Sequence, residues 1–227
     1  MSDEEIFKLN DEERPFDAAP GEKLKRLKPK DAATLILIRK GSEVMMGQRA
    51  KGHVFMPDKW VFPGGRVDPG DARLKAAAEL TAETEALLRL GGAVKRAPRA
   101  FALAATRETQ EETGMTVGGA DGPDLSRLIY VARAVTPPHR TRRFDARFFM
   151  ADAADVLASD KPQAGEELLH VEWFPIAEAE KLDLPSVTRF VLKEASRRLA
   201  GERLAPPFVR WRHGGHHLER LRLDSGG

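Results

Sequence analysis

Six apolar runs of strand length, bounded by glycine and proline and interleaved with stretches rich in alanine, leucine and glutamate, restrict this chain to an α/β architecture. The runs are Ala32–Ile38, Val44–Arg49, Trp60–Phe62, Leu128–Val135, Phe144–Met150 and Leu168–Phe174. Each is far shorter than the roughly 18 to 20 apolar residues that span a bilayer. Ala32–Ile38 is apolar but for Thr34, as suits a strand covered on both faces, and a Gly-Ser turn folds it onto Val44–Arg49 as a hairpin. Pro63-Gly64-Gly65 ends the third run, so a glycine-rich loop leaves the sheet there. The sheet is expected to be mixed.

Between the runs, the alanine, leucine and glutamate of Asp71–Leu90 predict a helix stopped by Gly91-Gly92. A second helix opens at Pro98 and closes on Gly114, and a third spans about Ser186 to Leu199. Residues 1–19 carry seven acids and two bases, and residues 21–30 turn basic, so 1–30 reads as a flexible arm. The folded domain is expected over 31–204. From Arg197 onward seven arginines face three acids, and 205–227 reads as a basic, floppy C-terminal tail.

Composition narrows the chemistry. The chain of 227 residues has no cysteine, which excludes disulfides, thiolate zinc sites, iron–sulfur clusters and cysteine nucleophiles. Thirty-seven lysines and arginines against 35 acids leave a formal charge of +2, which gives no support to nucleic acid as a partner. An acidic start at Met1–Glu5, an end at Leu223–Gly227 that is no targeting address, and the lack of cysteine lead to an expected cytoplasmic location. A small-molecule substrate is the expected partner, no membrane is implicated, and a homodimer is left open.

The informative segment is Arg107-Glu108-Thr109-Gln110-Glu111-Glu112-Thr113-Gly114. Steps of three and four place Glu108, Glu111 and Glu112 on one helical strip, where like charges repel and raise one another's pKa. Such a strip is comfortable either fully solvated or gripping a cation. Mg2+ or Mn2+ suits it, being hard and held by carboxylates together with substrate phosphates. Arg107, beside Glu108 and four residues before Glu111, is placed to fork onto a carboxylate and fix its rotamer. Upstream, Phe62-Pro63-Gly64-Gly65-Arg66-Val67-Asp68-Pro69-Gly70-Asp71 supplies bare glycines past which an ion or phosphate can approach the backbone.

Together the glycine loop and the acid-rich helix resemble the Nudix hydrolase signature: Gly, five residues, Glu, seven residues, Arg-Glu, a hydrophobic residue, any residue, Glu-Glu, any residue, Gly and a hydrophobic residue. Gly65 takes the first glycine; Asp71 stands in place of the glutamate and Thr109 in place of the aliphatic residue. Residues 72–106, 35 of them, separate Asp71 from Arg107 where the signature has seven. This interrupted box, with Phe-Pro-Gly-Gly before it and Arg143-Phe144-Asp145 and Phe148-Phe149 after it, resembles the Nudix branch of coenzyme A diphosphatases.

The resemblance implies an α/β/α sandwich with a mixed β-sheet and an inserted helical segment at 72–106. It implies hydrolysis of the diphosphate of a nucleoside diphosphate derivative, with coenzyme A or acyl-CoA as first candidate. ADP-ribose or NADH diphosphatase activity, or a non-catalytic nucleotide-sensing domain, are the alternatives. Glu108, Glu111 and Glu112 become metal ligands, with Gly64 a further contact, and Arg107 orients them. Glu166 or Glu167 supplies a downstream carboxylate as ligand or general base. Arg66, Arg143 and Asp145 are the expected substrate contacts.

Three weaker signals remain. His139-Arg140-Thr141-Arg142-Arg143 offers guanidinium groups at the mouth between two strands, where a substrate phosphate could be clamped or the loop simply solvated. In Arg143–Phe149 alternation sends Arg143, Asp145 and Arg147 to one face, a candidate cleft lining. Trp211 between Arg210 and Arg212, and the histidines of His213-Gly214-Gly215-His216-His217, are assigned no role.

Overall fold

The computed structural model describes residues 27–50, 57–92, 96–138, 140, 142–158, 161–162, 167–212 and 215–223. Strands β1 (Lys30–Arg39), β2 (Glu43–Arg49), β3 (Trp60–Val61) and β4 (Gly64–Arg66) come first. Helices α1 (Ala82–Arg89) and α2 (Pro98–Thr113) follow, then β5 (Ile129–Val135), β6 (Phe144–Asp152), the one-turn helix α3 (Ala153–Val156) and β7 (Leu168–Pro175). One-turn α4 (Ile176–Ala179), α5 (Ser186–Leu199), β8 (Pro207–Arg212) and β9 (Gly215–Arg220) complete the described elements.

The strands form one sheet in the order β3-β2-β1-β6-β5-β8-β9, with β4 also on β1 and β7 also on β2. β1 pairs with β6 and β5 with β8 in parallel, and the other neighbours are antiparallel, so the sheet is mixed. Helices cover both faces. Leu35, Leu37 and Phe149 pack with Phe101 and Leu103 of α2 on one side, while Ile36, Ile38 and Met150 pack with Phe190, Val191 and Leu192 of α5 on the other. This is the α/β/α sandwich. Because β1 feeds both cores, its apolar run cannot alternate. No helix among the described residues is long and apolar enough to cross a membrane.

Helix α2 forms where composition placed it: Pro98 sits in its first turn, and Gly114 at φ 66° closes it with its amide on the Gln110 carbonyl. The expected helix over Asp71–Leu90 does not form as one piece. A single 3-10 turn at Asp71–Arg73 is followed by irregular chain, and α1 starts only where the Thr81 hydroxyl caps the Thr84 amide. The intervening backbone is bonded elsewhere: Ala77 N–H reaches the Pro123 carbonyl, the Ala78 carbonyl takes the Leu125 N–H, and Arg99 holds the carbonyls of Ala72 and Leu74. Propensity alone does not see those partners.

The segment expected as a floppy tail after residue 204 is instead the outer hairpin of the sheet. Phe208 of β8 enters one core and Val209 the other. Arg220 of β9 forks onto the fully buried Glu194 of α5 at 2.7 and 2.9 Å. Gly64–Arg66, read as loop, forms a short strand on Ala32–Thr34. Of the expected arm, residues 1–26 lie outside the described residues.

Candidate active site

Helix α2 delivers Arg107, Glu108, Glu111 and Glu112 on its last two turns, against the Gly64-Gly65 edge of β4. The Arg107 guanidinium organises them. Its Nε and Nη2 donate to the two Asp71 carboxylate oxygens at 2.8 and 3.2 Å, and Nη2 also donates to the Arg66 carbonyl at 3.0 Å. Nη1 donates to Glu108 Oε1 and Glu111 Oε2, each at 2.9 Å. Asp71 is buried, and its Oδ2 also accepts the Asp68 amide at 2.7 Å. Its hydrogen bond is the largest reason Arg107 is held firmly protonated, against the opposing pull of burial. Asp71 and Arg107 thus meet in space although residues 72–106 run between them.

The glycines are needed for close approach. Gly64 donates its amide to Glu112 Oε2 at 2.8 Å, and a Cβ at Gly65 would overlap the Glu108 carboxylate. Glu108, Glu111, Glu112 and Glu167, the last just before β7, line one cavity of about 310 Å³. Burial pushes the Glu112 carboxyl up to about 8, with Glu108 and Glu167 adding to the rise and the Gly64 amide and Arg49 opposing it. Glu108 is raised too, by burial first, with Arg107 pulling the other way and Glu111 and Glu167 adding.

Among the described residues no three acidic or histidine side chains form a preassembled metal group. The hydrogen bonds account for that: Arg107 draws one oxygen from each of Glu108 and Glu111, and the Gly64 amide takes one from Glu112. Each of these carboxylates keeps its other oxygen for a further partner. An all-oxygen donor set, with four acids around one cavity and two shifted toward the neutral form, fits a hard divalent cation.

The expected substrate contacts are placed differently. The Arg66 side chain is exposed and its carbonyl serves Arg107. Arg143 donates to the Thr136 carbonyl at 3.0 Å and the Leu27 carbonyl at 2.6 Å, bracing the start of β1. Asp145 is taken up by Arg133, through two bonds of 2.8 Å, and by Arg147 at 3.1 Å. Arg147 is 1% exposed and stacks over Phe101 at 4.1 Å. The charged face of β6 is therefore a buried network under α2 rather than a cleft lining. Glu166, His139 and His213 lie outside the described residues. His216 packs edge-on to Trp211 at 4.8 Å. Sequence reasoning missed Arg49, a cation on β2 that acts on Glu112; its one local signal was its place at the end of an apolar run.

A carboxylate cavity clamped by arginine beside a glycine edge, on an α/β/α sandwich, suits a hydrolase of phosphoric anhydride bonds. Residues 89–194 match the family model of the NUDIX domain. That match takes in the glutamate helix but not the Gly64-Gly65 edge, which the sheet brings to it. A NUDIX hydrolase from Alicyclobacillus acidocaldarius is 27% identical at a TM-score of 0.60, over 75% of this chain and 92% of that one. A MutT protein from Methanosarcina mazei Go1 is 15% identical at a TM-score of 0.49, over 78% and 98%. An Ap4A hydrolase from C. elegans is 20% identical at 0.45, over 76% and 99%. No curated protein matches the chain.

Proposed function

We propose that this chain is a Nudix enzyme, a Mg2+- or Mn2+-dependent diphosphatase whose first substrate is coenzyme A or an acyl-CoA. The observation that carries the metal-dependent reading is the convergence of Glu108, Glu111, Glu112 and Glu167 on one cavity. Glu108, Glu111 and Glu112 hold the divalent ion, with the Gly64 backbone beside it. When bound, the ion neutralises diphosphate oxygens and lowers the pKa of the attacking water. Arg107, anchored on Asp71, keeps Glu108 and Glu111 in rotamers that face the cavity. Glu167, just before β7, would be the carboxylate to accept the proton of the attacking water. Arg49 is the nearby cation that favours the ionised form of Glu112.

The choice of coenzyme A is supported by the interrupted box, the Phe62-Pro63-Gly64-Gly65 lead-in and Arg143-Phe144-Asp145 with Phe148-Phe149. It draws no support from a substrate contact at Asp145, whose oxygens are engaged by arginines. Incubation of the purified protein with coenzyme A, acetyl-CoA, ADP-ribose and NADH, with and without Mg2+ or Mn2+, tests the reading. Metal-dependent addition of one water to coenzyme A, releasing phosphopantetheine and an adenosine bisphosphate, is expected. Fast turnover of ADP-ribose without turnover of coenzyme A removes the substrate choice, and activity undiminished by chelation removes the metal.

A further inference from the structure

Sheet register brings together two basic motifs that are distant in the sequence. Lys30 of β1 lies opposite Phe144 of β6, and the Phe144 carbonyl takes the Thr136 amide at the end of β5. On the far side of β5, Arg133 and Ala134 lie opposite Phe208 and Val209 of β8. β8 runs on to Arg212 beyond its last pair with β5, at the end of the sheet where β1 and β6 begin, and Trp211 lies opposite His216 of β9. One end of the sheet therefore carries Lys28, Lys30, Arg142 and Arg212, all exposed, together with Trp211, whose indole is 38% exposed.

None of those four cations forms an ion pair among the described residues. The acids at this end are already engaged: Asp31 with Arg96 and Arg147, Asp145 with Arg133 and Arg147, and Glu219 with Arg210. Among the described residues, the unpaired charges at this end are positive although the whole chain is nearly balanced. From β1 to β8 is three strand spacings, or about 14 Å. Trp211, two residues on from Val209 of the α5 core, shares that side of the sheet, across from the α2 glutamates, and Arg212 falls on the opposite side at the same end.

We infer that this end of the sheet is a binding surface for single-stranded nucleic acid, in which the cations track successive phosphates and a base stacks on Trp211. Spaced guanidinium and ammonium groups supply a sequence-independent, salt-sensitive attraction, and an exposed indole among them adds the π-face that an aliphatic surface lacks. A lone aromatic among charges is a poor wedge for a lipid bilayer, which needs a broader apolar face.

Fluorescence anisotropy of the full chain with a labelled oligouridylate of about twelve nucleotides, in chelator and with a 5′-hydroxyl end that offers no diphosphate, tests the inference. Saturable binding is expected, with log affinity falling against log salt at a slope of about −0.7 for each phosphate engaged. W211A weakens binding about tenfold and W211F restores most of it. A double K28Q/K30Q variant lowers the slope by about 1.4. All three variants keep the parent's metal-dependent hydrolysis, which separates this surface from the catalytic reading. Absence of saturable binding at low salt, parental binding by W211A, or capture of phosphatidylserine vesicles by these same cations without binding of the oligonucleotide, overturns the inference.

Discussion

The Glu112 carboxyl should make the metal-free enzyme less stable as pH rises, and Glu112→Gln should abolish that loss. Folding moves this group from the ordinary glutamate value of 4.5 to about 8. The folded state therefore retains a proton that the unfolded chain releases across that window. Because the folded value is raised, the group's contribution is fully present below 4.5, declines through the interval and is gone above about 8. The slope is about −1.4 kcal/mol per pH unit, and the whole loss is at most about 5 kcal/mol. That is a large fraction of the roughly 5 to 15 kcal/mol that holds a domain folded.

In the glutamine variant the side-chain oxygen still accepts the Gly64 amide, and no charge is buried. Urea unfolding at pH 5, 7 and 9 in chelator measures the effect. The variant should match the parent near pH 5, exceed it by several kcal/mol at pH 9, and lose turnover by orders of magnitude at every pH. Excess Mg2+ should raise the parent's stability at pH 9 and leave the variant nearly unmoved, since an ion that binds only the folded state stabilises it in proportion to its affinity. A stability difference that stays constant from pH 5 to pH 9 would refute the claim that burial of this carboxylate is what unsettles the apo fold.

Gly65→Ala should force the Glu108 carboxylate off its seat, so Mg2+-dependent turnover should collapse while the far-ultraviolet circular dichroism is retained; full activity would show that the close approach is dispensable. Arg107→Lys keeps the charge but cannot serve Asp71, Glu108 and Glu111 at once, and metal affinity or activity should fall by about 10- to 100-fold, read from metal titrations of the rate. Glu194→Leu leaves Arg198 and Arg220 without their buried partner and should cost about 3 to 5 kcal/mol in urea unfolding, with kcat at low temperature spared.

The carboxylate ridge was legible because helical spacing is local: Glu108, Glu111 and Glu112 share a face whatever else the chain does, and Gly114 marks where their helix ends. Its partners were less so: Asp71 and Glu167 entered only through the resemblance, and Arg49 did not enter at all. Asp71 meets Arg107 across a segment of irregular chain, Arg49 arrives from β2, and Glu167 lies just before β7, so these meetings depend on the fold rather than on local spacing. The same limit hid β8 and β9. Arginines that read as a solvated tail are neutralised by Glu219 across the hairpin and by Glu194 from a helix, so their strand character depends on charges supplied from elsewhere.

Strand β6 shows why a correct local reading can still give the wrong chemistry. Alternation rightly placed Asp145 and Arg147 on one face and Phe148 on the other. A charged face on a strand, however, is equally consistent with a cleft and with a buried ionic network, and the two differ in whether the chain supplies enough counter-charge to close the face. Here Arg133 and Arg147 together meet Asp145, Arg147 also reaches Asp31, and the Phe101 ring covers the Arg147 guanidinium. At the glutamate cavity the balance runs the other way. Arg107 is shared among Asp71, Glu108 and Glu111, so four carboxylates there outnumber the cations that serve them. A buried or half-buried excess of one sign is unstable without a ligand of the other, and that imbalance, rather than the mere presence of charge, separates the proposed dication site from the network that holds the sheet.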